Sequence, residues 1–519
     1  DTPRSPTNLS TTLLSACALT AGGDAYAEPR GRALGRIQAE ADTRGAADIC
    51  RAVTAFYGTD KTFSAPILAT AALAGFLGPE KEAWARVPQL PFELSLFPHI
   101  FFRWIRMPVV SYALPALIAI GILRHRRAEK AGILQRSIRC FSEPRALAKL
   151  ERILPESGGF LEASPLTGFV LMSLAASGHG DHSVARKTTA FLRSSMRGDG
   201  SWAVDSNLST WVTTLAVNAL FTDSGPDPGL SGEQGAAVRG WLIDQQYAVE
   251  HPYTHASPGG WAWTDLPGGV PDADDTCGAL IALRRLSESP ENLHAKAASG
   301  VRWLMGLQNI DGGVPTFCRG RTGLPFDRSC PDITAHALSA VRAWRDFLGP
   351  RLGRKSAMFI RRCLAYLASA QTSEGSWVPL WFGREDLPDR ENPVYGTARV
   401  LESLADIQGS PAREMKKAGV NWLVSTRQES GGWGGDGTCA PTIEETALAL
   451  GALSLYNTVP EPVLDRAAEW LIRSTEQGTV FTPAPVGLYF SSLWYWEELY
   501  PLVFSVSALA RYRRWKEGA

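Results

Sequence analysis

The chain has no surplus of charge of either sign. Its 52 Lys and Arg residues balance 52 Asp and Glu residues, so the formal net charge is zero. Proteins that bind nucleic acid rely on Lys and Arg to neutralise phosphates, and attraction to anionic lipids relies on clusters of the same residues. The balanced composition therefore argues against nucleic acid as a partner and against a polybasic membrane patch.

Paired cysteines and targeting signals are also missing from the sequence. The eight cysteines show neither a CxxC pair nor the spacing of a disulfide framework, so we interpret them as reduced thiols in a cytosolic type of compartment. The chain does not begin with Met, and its start resembles neither a signal peptide nor a transit peptide. We expect it to be a fragment that begins partway through a structural unit.

Long apolar runs are scarce as well. The run at 109–123 is shorter than the roughly 20 residues that a membrane-spanning helix needs, and it contains Pro115. We interpret it mainly as a buried helix. The residues before it mix aromatic side chains with Arg103 and Arg106. This mixture leaves open a second interpretation, a helix that dips into one face of a membrane without crossing it.

Tryptophan and glycine are abundant, with 17 and 49 residues respectively. Most segments have apolar residues three or four positions apart, which predicts helices of about 12 to 18 residues. Turns rich in Gly and Pro separate these segments, and no stretch shows the sustained alternation of a strand. The sequence therefore predicts an all-α fold.

A repeat connects the tryptophans to the predicted helices. It consists of an aromatic residue and Leu near the end of one helix, a polar turn with Gln, and then Gly-x-Trp before the next helix. Repeated helix pairs of this length can close into an α/α toroid. We expect the indole and the Gln amide to tie one helix end to the next. The repeats lie at 191–202, 241–261, 303–314 (Val314 in place of Trp), 366–377 and 422–433 (Arg427 in place of Gln).

The repeat is clearest after the polar segment at 199–208. The part of the chain before this segment is richer in prolines and short apolar pieces. We therefore predict two α/α-barrel domains, an N-terminal one at 1–205, truncated at its start, and a C-terminal one at 206–519.

Three carboxylates, Asp272, Asp274 and Asp275, lie within four residues at the start of an apolar helix. One Asp would be enough to cap the helix. Three neighbouring carboxylates are electrostatically costly unless one of them keeps its proton. A Trp- and Gly-rich approach at 259–263 precedes them, which suggests a proton donor facing an apolar cavity. A helix cap remains the alternative interpretation.

These patterns together resemble one family. The tryptophan repeat resembles the QW motif of the triterpene cyclases, and 272–277, Asp-Ala-Asp-Asp-Thr-Cys, resembles the Asp-x-Asp-Asp-Thr-Ala motif of squalene–hopene cyclases. The resemblance also includes the segments 56–63, 87–91, 395–397 and 487–500. It implies a class II terpene cyclase that protonates a terminal alkene of squalene or a similar linear polyprene and drives carbocation polycyclisation to triterpenoids such as hopanoids.

The resemblance also implies a fold, a cellular location and a cofactor requirement. The fold would be two α/α barrels with an apolar cavity between them. The protein would contact a membrane monotopically from the cytoplasmic side, as a possible homodimer, and would use no metal or organic cofactor. Cys277 replaces the usual Ala, and a segment with Gly-Gly-Trp and a cavity tyrosine is missing between Gly313 and Val314. The resemblance therefore does not imply full pentacyclic closure.

The family's functional residues can be assigned to positions in this chain. Asp274 would be the proton donor, Asp272 and Asp275 its supporting carboxylates, and His336 the histidine that hydrogen-bonds the acid. Tyr395 would lie near the route of reprotonation. The substrate-binding wall, whose aromatic faces would stabilise the cation, would comprise Trp211, Trp263, Phe317, Cys318, Trp381 and Tyr489.

Two other classes of protein remain as alternatives. Asp275, Cys277 and His336 have the character of a zinc site, as in the prenyltransferase subunits that share an α/α barrel. In that alternative the protein would be a zinc-dependent prenyltransferase-like barrel. The second alternative is a non-catalytic helical repeat protein that binds lipids.

Overall fold

The structure is a computed structural model that describes residues 2–41, 45–58, 61–128, 132–222, 229–488 and 492–518. Helices make up most of this part of the chain, which confirms the predicted all-α class. The helices of the N-terminal part are α1 (Leu9–Ala21), α2 (Ala27–Ala41), α3 (Ala46–Tyr57), α4 (Lys61–Leu73), α5 (Glu80–Arg86), α6 (His99–Trp104), α7 (Val110–Arg127), α8 (Ile133–Arg152), α9 (Ser164–Ala176) and α10 (Ser183–Ser194).

The C-terminal part alternates inner and outer helices. The outer helices are α12 (Gly232–Asp244), α14 (His294–Leu307), α16 (Pro350–Ala370), α18 (Ser410–Ser425) and α20 (Glu461–Ser474). The inner helices are α11 (Ser209–Leu220), α13 (Ala273–Arg285), α15 (Pro331–Trp344), α17 (Pro393–Leu404), α19 (Ile443–Leu453) and α21 (Tyr500–Lys516).

The inner helices form a closed ring. Each packs against the next in chain order, and α21 packs back against α11. Inner and outer helices differ in sequence pattern as their positions require. Every residue of α19 is buried, whereas α20 buries only Leu464, Ala467, Ala468 and Leu471, which lie three or four positions apart on one face. The predicted α/α toroid is therefore present in this part of the chain.

The repeated tryptophans tie the helix ends together as predicted. The indole N–H of Trp261 donates to the carbonyl of Leu242, and Trp377 and Trp433 make the same bond to the leucine at the end of the preceding outer helix, at 2.7–2.8 Å. The amide of Gln371 donates to Gly375 O and to Met415 O on the next outer helix. The indole bonds satisfy leucine carbonyls in the last turn of a helix, which the helix itself leaves without a partner.

A threonine on the next inner helix completes four of the five turns. The backbone N–H of Trp377 donates to Thr397 Oγ1 at 2.9 Å, and the N–H of Val314 donates to Thr334 Oγ1 at 2.8 Å. Thr276 and Thr446 accept in the same way from Trp261 and Trp433. The copy with Val314 therefore keeps its backbone turn although it has lost the indole.

The N-terminal part packs around α7. This helix lies against α4, α8 and α9, and it buries Leu114, Ile118 and Ile122. The interpretation of 109–123 as a buried helix is therefore confirmed. Across the described residues, no helix combines the length and the apolar character that crossing a membrane would require.

The sequence did not predict a short hairpin near the C-terminus. Strands β1 (Val486–Leu488) and β2 (Leu493–Tyr495) pair antiparallel, with Gly487 opposite Trp494. Strands of three residues are too short to show a period-two pattern. The N–H of Gly383 donates to Gly487 O at 2.8 Å. This bond joins the hairpin to the loop that follows Trp381.

Candidate active site

The acid cluster begins the inner helix α13. Asp272 is its N-cap, and its side chain accepts from the N–H of Asp275 at 2.9 Å. The approach to the helix is fixed on both sides, because Asp272 N donates to Trp261 O and Ala273 N donates to Thr316 O. Asp272 therefore does cap the helix, as the alternative interpretation expected. The side chain of Asp274 takes no part in this cap.

Asp274 contacts the predicted histidine. Its Oδ1 lies 2.5 Å from Nδ1 of His336 on the neighbouring inner helix α15, although the two residues are 62 positions apart. Both side chains are largely buried, with exposed fractions of 16% and 12% respectively. When Nδ1 carries a proton, His336 can donate to this carboxyl and stabilise its anion.

Both flanking carboxyls hold a proton more firmly than an exposed Asp does. Burial raises the pKa of Asp272 to about 7, and burial together with the charge of Asp272 raises the pKa of Asp275 well above its ordinary value. Among the described residues, Asp272 Oδ2 and Asp275 Oδ1 are buried without a hydrogen-bond partner. A neutral carboxyl tolerates this position better than an anion, which accounts for the direction of both shifts.

A polar cavity lies inside the ring behind His336. Its volume is about 310 Å³, and it is lined by His336, Asp332, Arg399, Glu402 and Arg511 among others. Arg399 donates to Glu402 at 2.9 Å, and Arg511 pairs with the same carboxylate. Burial and the nearby charge of Asp274 raise the pKa of Asp332 to about 6. His336 thus contacts the acid and also faces a space that can hold water.

One group of aromatic rings begins beside His336. Trp211 meets the imidazole edge-on at 6.5 Å between ring centroids and stacks on Phe382 at 6.4 Å. Phe382 in turn stacks on Tyr395 at 4.4 Å. The structure therefore brings the predicted residues Trp211 and Tyr395 together with Asp274 and His336.

A second group of rings contains the other predicted aromatics. Phe317 meets Trp263 and Trp381 edge-on, at 6.3 and 5.5 Å between ring centroids. The carbonyl of Trp263 accepts from the N–H of Trp211 at 3.2 Å, so the two groups adjoin. Cys318 is buried beside Phe317, and burial raises the pKa of its thiol. The remaining predicted wall residue, Tyr489, lies outside the described residues.

Sequence reasoning missed several residues of this site. Phe382 directly follows the predicted Trp381, and Asp332 lies one helical turn before His336, so both had a local signal. Tyr112 had none, because its contact is distant in sequence. Its hydroxyl donates to Phe317 O, and its own carbonyl accepts from the hydroxyl of Tyr253.

The ligands of the alternative zinc site do not come together. Among the described residues, the group that places three ligand atoms within 4.8 Å of one another is His99, Glu250 and His255, not Asp275, Cys277 and His336. Cys277 is buried in the hydrophobic core, where burial and the neighbouring carboxylates raise the pKa of its thiol well above the usual value. A thiol in this setting resists the deprotonation that zinc ligation requires.

The fold is that of the helical terpene cyclases. Among solved structures, the chain is similar to ent-copalyl diphosphate synthase from Streptomyces platensis, with a TM-score of 0.51, 17% identity, and coverage of 89% of this chain and 92% of that chain. At this identity the likeness concerns the fold alone.

The family follows from the sequence match. The family model of the squalene-hopene cyclase C-terminal domain matches residues 208–514, which is more than half of the chain, and the chain therefore belongs to this family. It is 28% identical over 339 residues to the squalene–hopene cyclase of Bradyrhizobium diazoefficiens, covering 58% of this chain and 48% of that protein. It is also 28% identical over 330 residues to enfumafungin synthase of Hormonema carpetanum, covering 57% of this chain and 24% of that protein. The chain thus spans about half or less of the length of these relatives.

Proposed function

We propose that the protein is a class II terpene cyclase. It protonates a terminal alkene of squalene or a similar linear polyprene and drives carbocation polycyclisation to a triterpenoid of the hopanoid type. The observation that carries this proposal is the 2.5 Å contact between Asp274 and His336 at the head of an inner helix. Membership of the squalene-hopene cyclase family, and the names of its relatives, support the choice of substrate class.

The first step is proton transfer from Asp274 to the alkene. The hydrogen moves from the carboxyl to the CH carbon of the terminal double bond, and the π electrons form the new C–H bond. A tertiary cation remains on the substrate and a carboxylate on Asp274. His336 and the positive end of the α13 dipole stabilise that carboxylate. Burial raises the pKa of both Asp272 and Asp275, which reduces the negative charge that they place next to it.

The cation then needs surroundings that stabilise it without reacting with it. Aromatic faces do so by about 0.5 to 2 kcal/mol each. Trp211, Trp263 and Trp381 are the indoles assigned to this task, and Phe382 extends the wall beside Trp211. Each ring closure forms a C–C bond and moves the cation along the chain. Loss of a proton or capture of water ends the reaction.

Asp274 must recover its proton before the next turnover. His336 contacts Asp274 and also lines the polar cavity of about 310 Å³. Water in this cavity can supply a proton to His336, which passes it to the carboxylate. Tyr395 interacts electrostatically with Asp274 and with Asp332 and Arg399, which line this cavity, so its phenol lies near the proposed route.

A membrane is the proposed source of the apolar substrate. We assign the contact to the exposed apolar residues of the segment around α6, which include Ile100 and Trp104, with exposed fractions of 65% and 80%. Arg103 and Arg106 lie in the same segment, where they can meet lipid headgroups. The protein would lie on the cytoplasmic side of the membrane as a monotopic protein.

Product analysis tests the proposed function. The protein is incubated with detergent-dispersed squalene, and the extract is analysed by gas chromatography and mass spectrometry. Cyclised isomers of squalene, or their hydrates, are the expected products. If squalene is bound but returned unchanged, the protein is a lipid-binding helical repeat protein and the proposal fails.

A further inference from the structure

His99 is far in sequence from Glu250 and His255, yet the three side chains lie close together at the surface. His99 begins α6, whereas Glu250 and His255 lie in the loop between α12 and α13. One ligand atom from each of the three side chains lies within 4.8 Å of the other two. The imidazoles of His99 and His255 stack with centroids 3.7 Å apart and planes 15° apart, so one ring must rotate before a nitrogen of each can face the same ion. Oε1 of Glu250 lies 2.9 Å from Nδ1 of His255.

The loop that carries His255 is held in place by its own hydrogen bonds. The neighbouring His251 is buried, its Nε2 lies 3.0 Å from Gly269 O, and its carbonyl accepts from the N–H of His255 at 2.9 Å. His255 itself has a φ of 58°, in the left-handed region that a non-glycine residue adopts at a cost. The loop thus presents His255 to His99 in a backbone conformation that the surroundings maintain.

The donor set has the chemistry of a transition-metal site. Two imidazoles and one carboxylate are a ligand combination of zinc, with remaining positions open to water. Magnesium and calcium prefer ligand sets made of oxygen atoms. The positive charges of Arg103 and Lys149 lie close to His99. The carboxylate of Glu250 offsets the repulsion between these cations and a metal ion.

We propose that His99, Glu250 and His255 bind a zinc ion at the surface, outside the candidate active site. The ion would join the start of α6 to the loop that contains Tyr253. The side chains of His255 and Glu250 are 28% and 51% exposed, so the ion can enter from solvent and retain water ligands. The hydroxyl of Tyr253 donates to Tyr112 O, and Tyr112 packs on Phe317, so the bound ion would also brace one side of the aromatic wall.

Calorimetric titration of tag-free protein with zinc chloride tests this site. We expect one zinc ion per chain, no comparable binding of magnesium, and affinity lowered by about tenfold or more in His99→Ala and His255→Ala. His294→Ala is the matched control, because His294 is an exposed histidine on α14. The zinc affinity of this variant should equal that of the wild type. Circular dichroism of each variant without metal separates a lost site from a lost fold.

X-ray absorption at the zinc edge identifies the ligands. The expected spectrum shows nitrogen and oxygen ligands, including imidazole, and no sulfur. Sulfur ligands would place the ion at a cysteine and overturn the proposal. So would zinc binding that His99→Ala and His255→Ala leave unchanged, or no zinc binding by the folded wild type. None of these results depends on cyclase activity, so they are independent of the proposed function.

Discussion

The indole N–H of Trp211 donates to the hydroxyl of Tyr500 at 2.8 Å. Trp211 lies on α11 and Tyr500 begins α21, so this bond joins the two helices that close the ring. The same indole stacks on Phe382 and meets His336 edge-on. One side chain therefore takes part in closing the ring and in forming the wall beside the proposed proton donor.

Two substitutions at Trp211 separate these roles. Trp211→Phe and Trp211→Leu both lose the bond to Tyr500, but only Phe keeps an aromatic face. We expect Trp211→Leu to have a turnover about 2- to 30-fold lower than Trp211→Phe, the range that follows from the strength of a cation–π contact. Steady-state product formation measures the difference. Equal rates in the two variants would remove Trp211 from the cation-stabilising wall.

His336 is predicted to support initiation rather than folding. His336→Ala removes a hydrogen bond to a charged group, which contributes about 1.5 to 3 kcal/mol, so turnover should fall by about 10- to 150-fold. Steady-state turnover measures this fall, and thermal unfolding reports on the fold. His182→Ala is a control for loss of a histidine elsewhere, because His182 only caps α10. Wild-type turnover in His336→Ala would exclude His336 from the site.

The tryptophan turns should contribute to stability in proportion to their burial. Trp377 is fully buried and Trp202 is 45% exposed, yet the indole of each donates to a leucine carbonyl in the last turn of the preceding helix. Trp377→Phe leaves a buried carbonyl unsatisfied and a small cavity, so we expect it to lower the free energy of unfolding by about 1 to 3 kcal/mol. Denaturant unfolding of Trp377→Phe measures this loss, and Trp202→Phe should lose less. Equal losses would contradict the role of burial.

The raised pKa of Asp272 predicts how stability depends on pH. An Asp in an unfolded chain titrates near about 3.9, whereas burial raises the pKa of Asp272 to about 7. Between these values the folded state holds a proton that the unfolded chain releases. The contribution of Asp272 to stability is therefore fully present at low pH and is lost as the pH rises through about 7.

Asp272→Asn isolates this effect, since Asn also serves as a helix N-cap. From about pH 5 to about pH 8, the wild type should lose more free energy of unfolding than Asp272→Asn does, as measured by denaturant titration at each pH. Asp346→Asn, at an exposed carboxylate, should follow the wild type. Parallel pH profiles for the wild type and Asp272→Asn would show that the buried carboxyl is not protonated.

The parts of this structure that sequence predicted are those with a local signal. The Gly-x-Trp turns repeat, so ties between helix ends were expected, and the structure makes them through Leu367 and Leu423. The pairing of Asp274 with His336 came only from the family resemblance, because no spacing rule joins residues that far apart. The predicted set of zinc ligands was wrong for a related reason. Cys277 lies on the same helix as Asp274, but its side chain is enclosed by the hydrophobic core.

Other features had no local signal at all. Tyr112 and Tyr253 reach the aromatic wall through bonds that connect separate parts of the chain. The stacking of His99 on His255 depends on a loop whose conformation its own hydrogen bonds maintain. Contacts of this kind arise from tertiary packing, which residue spacing in one sequence does not encode. The roles assigned to the site residues, and the domain boundary at 205/206, stay predictions.

The most direct test of the central claim is deuterium uptake during cyclisation. The protein is incubated with squalene in D₂O, where the carboxyl of Asp274 exchanges its hydrogen for deuterium before each turnover. Each product molecule should then carry one deuterium on the carbon that was the terminal alkene CH, detected by mass spectrometry and NMR. Asp274→Asn should form no product, while Asp346→Asn should match the wild type. Product without deuterium, or cyclisation that persists in Asp274→Asn, would contradict proton transfer from Asp274.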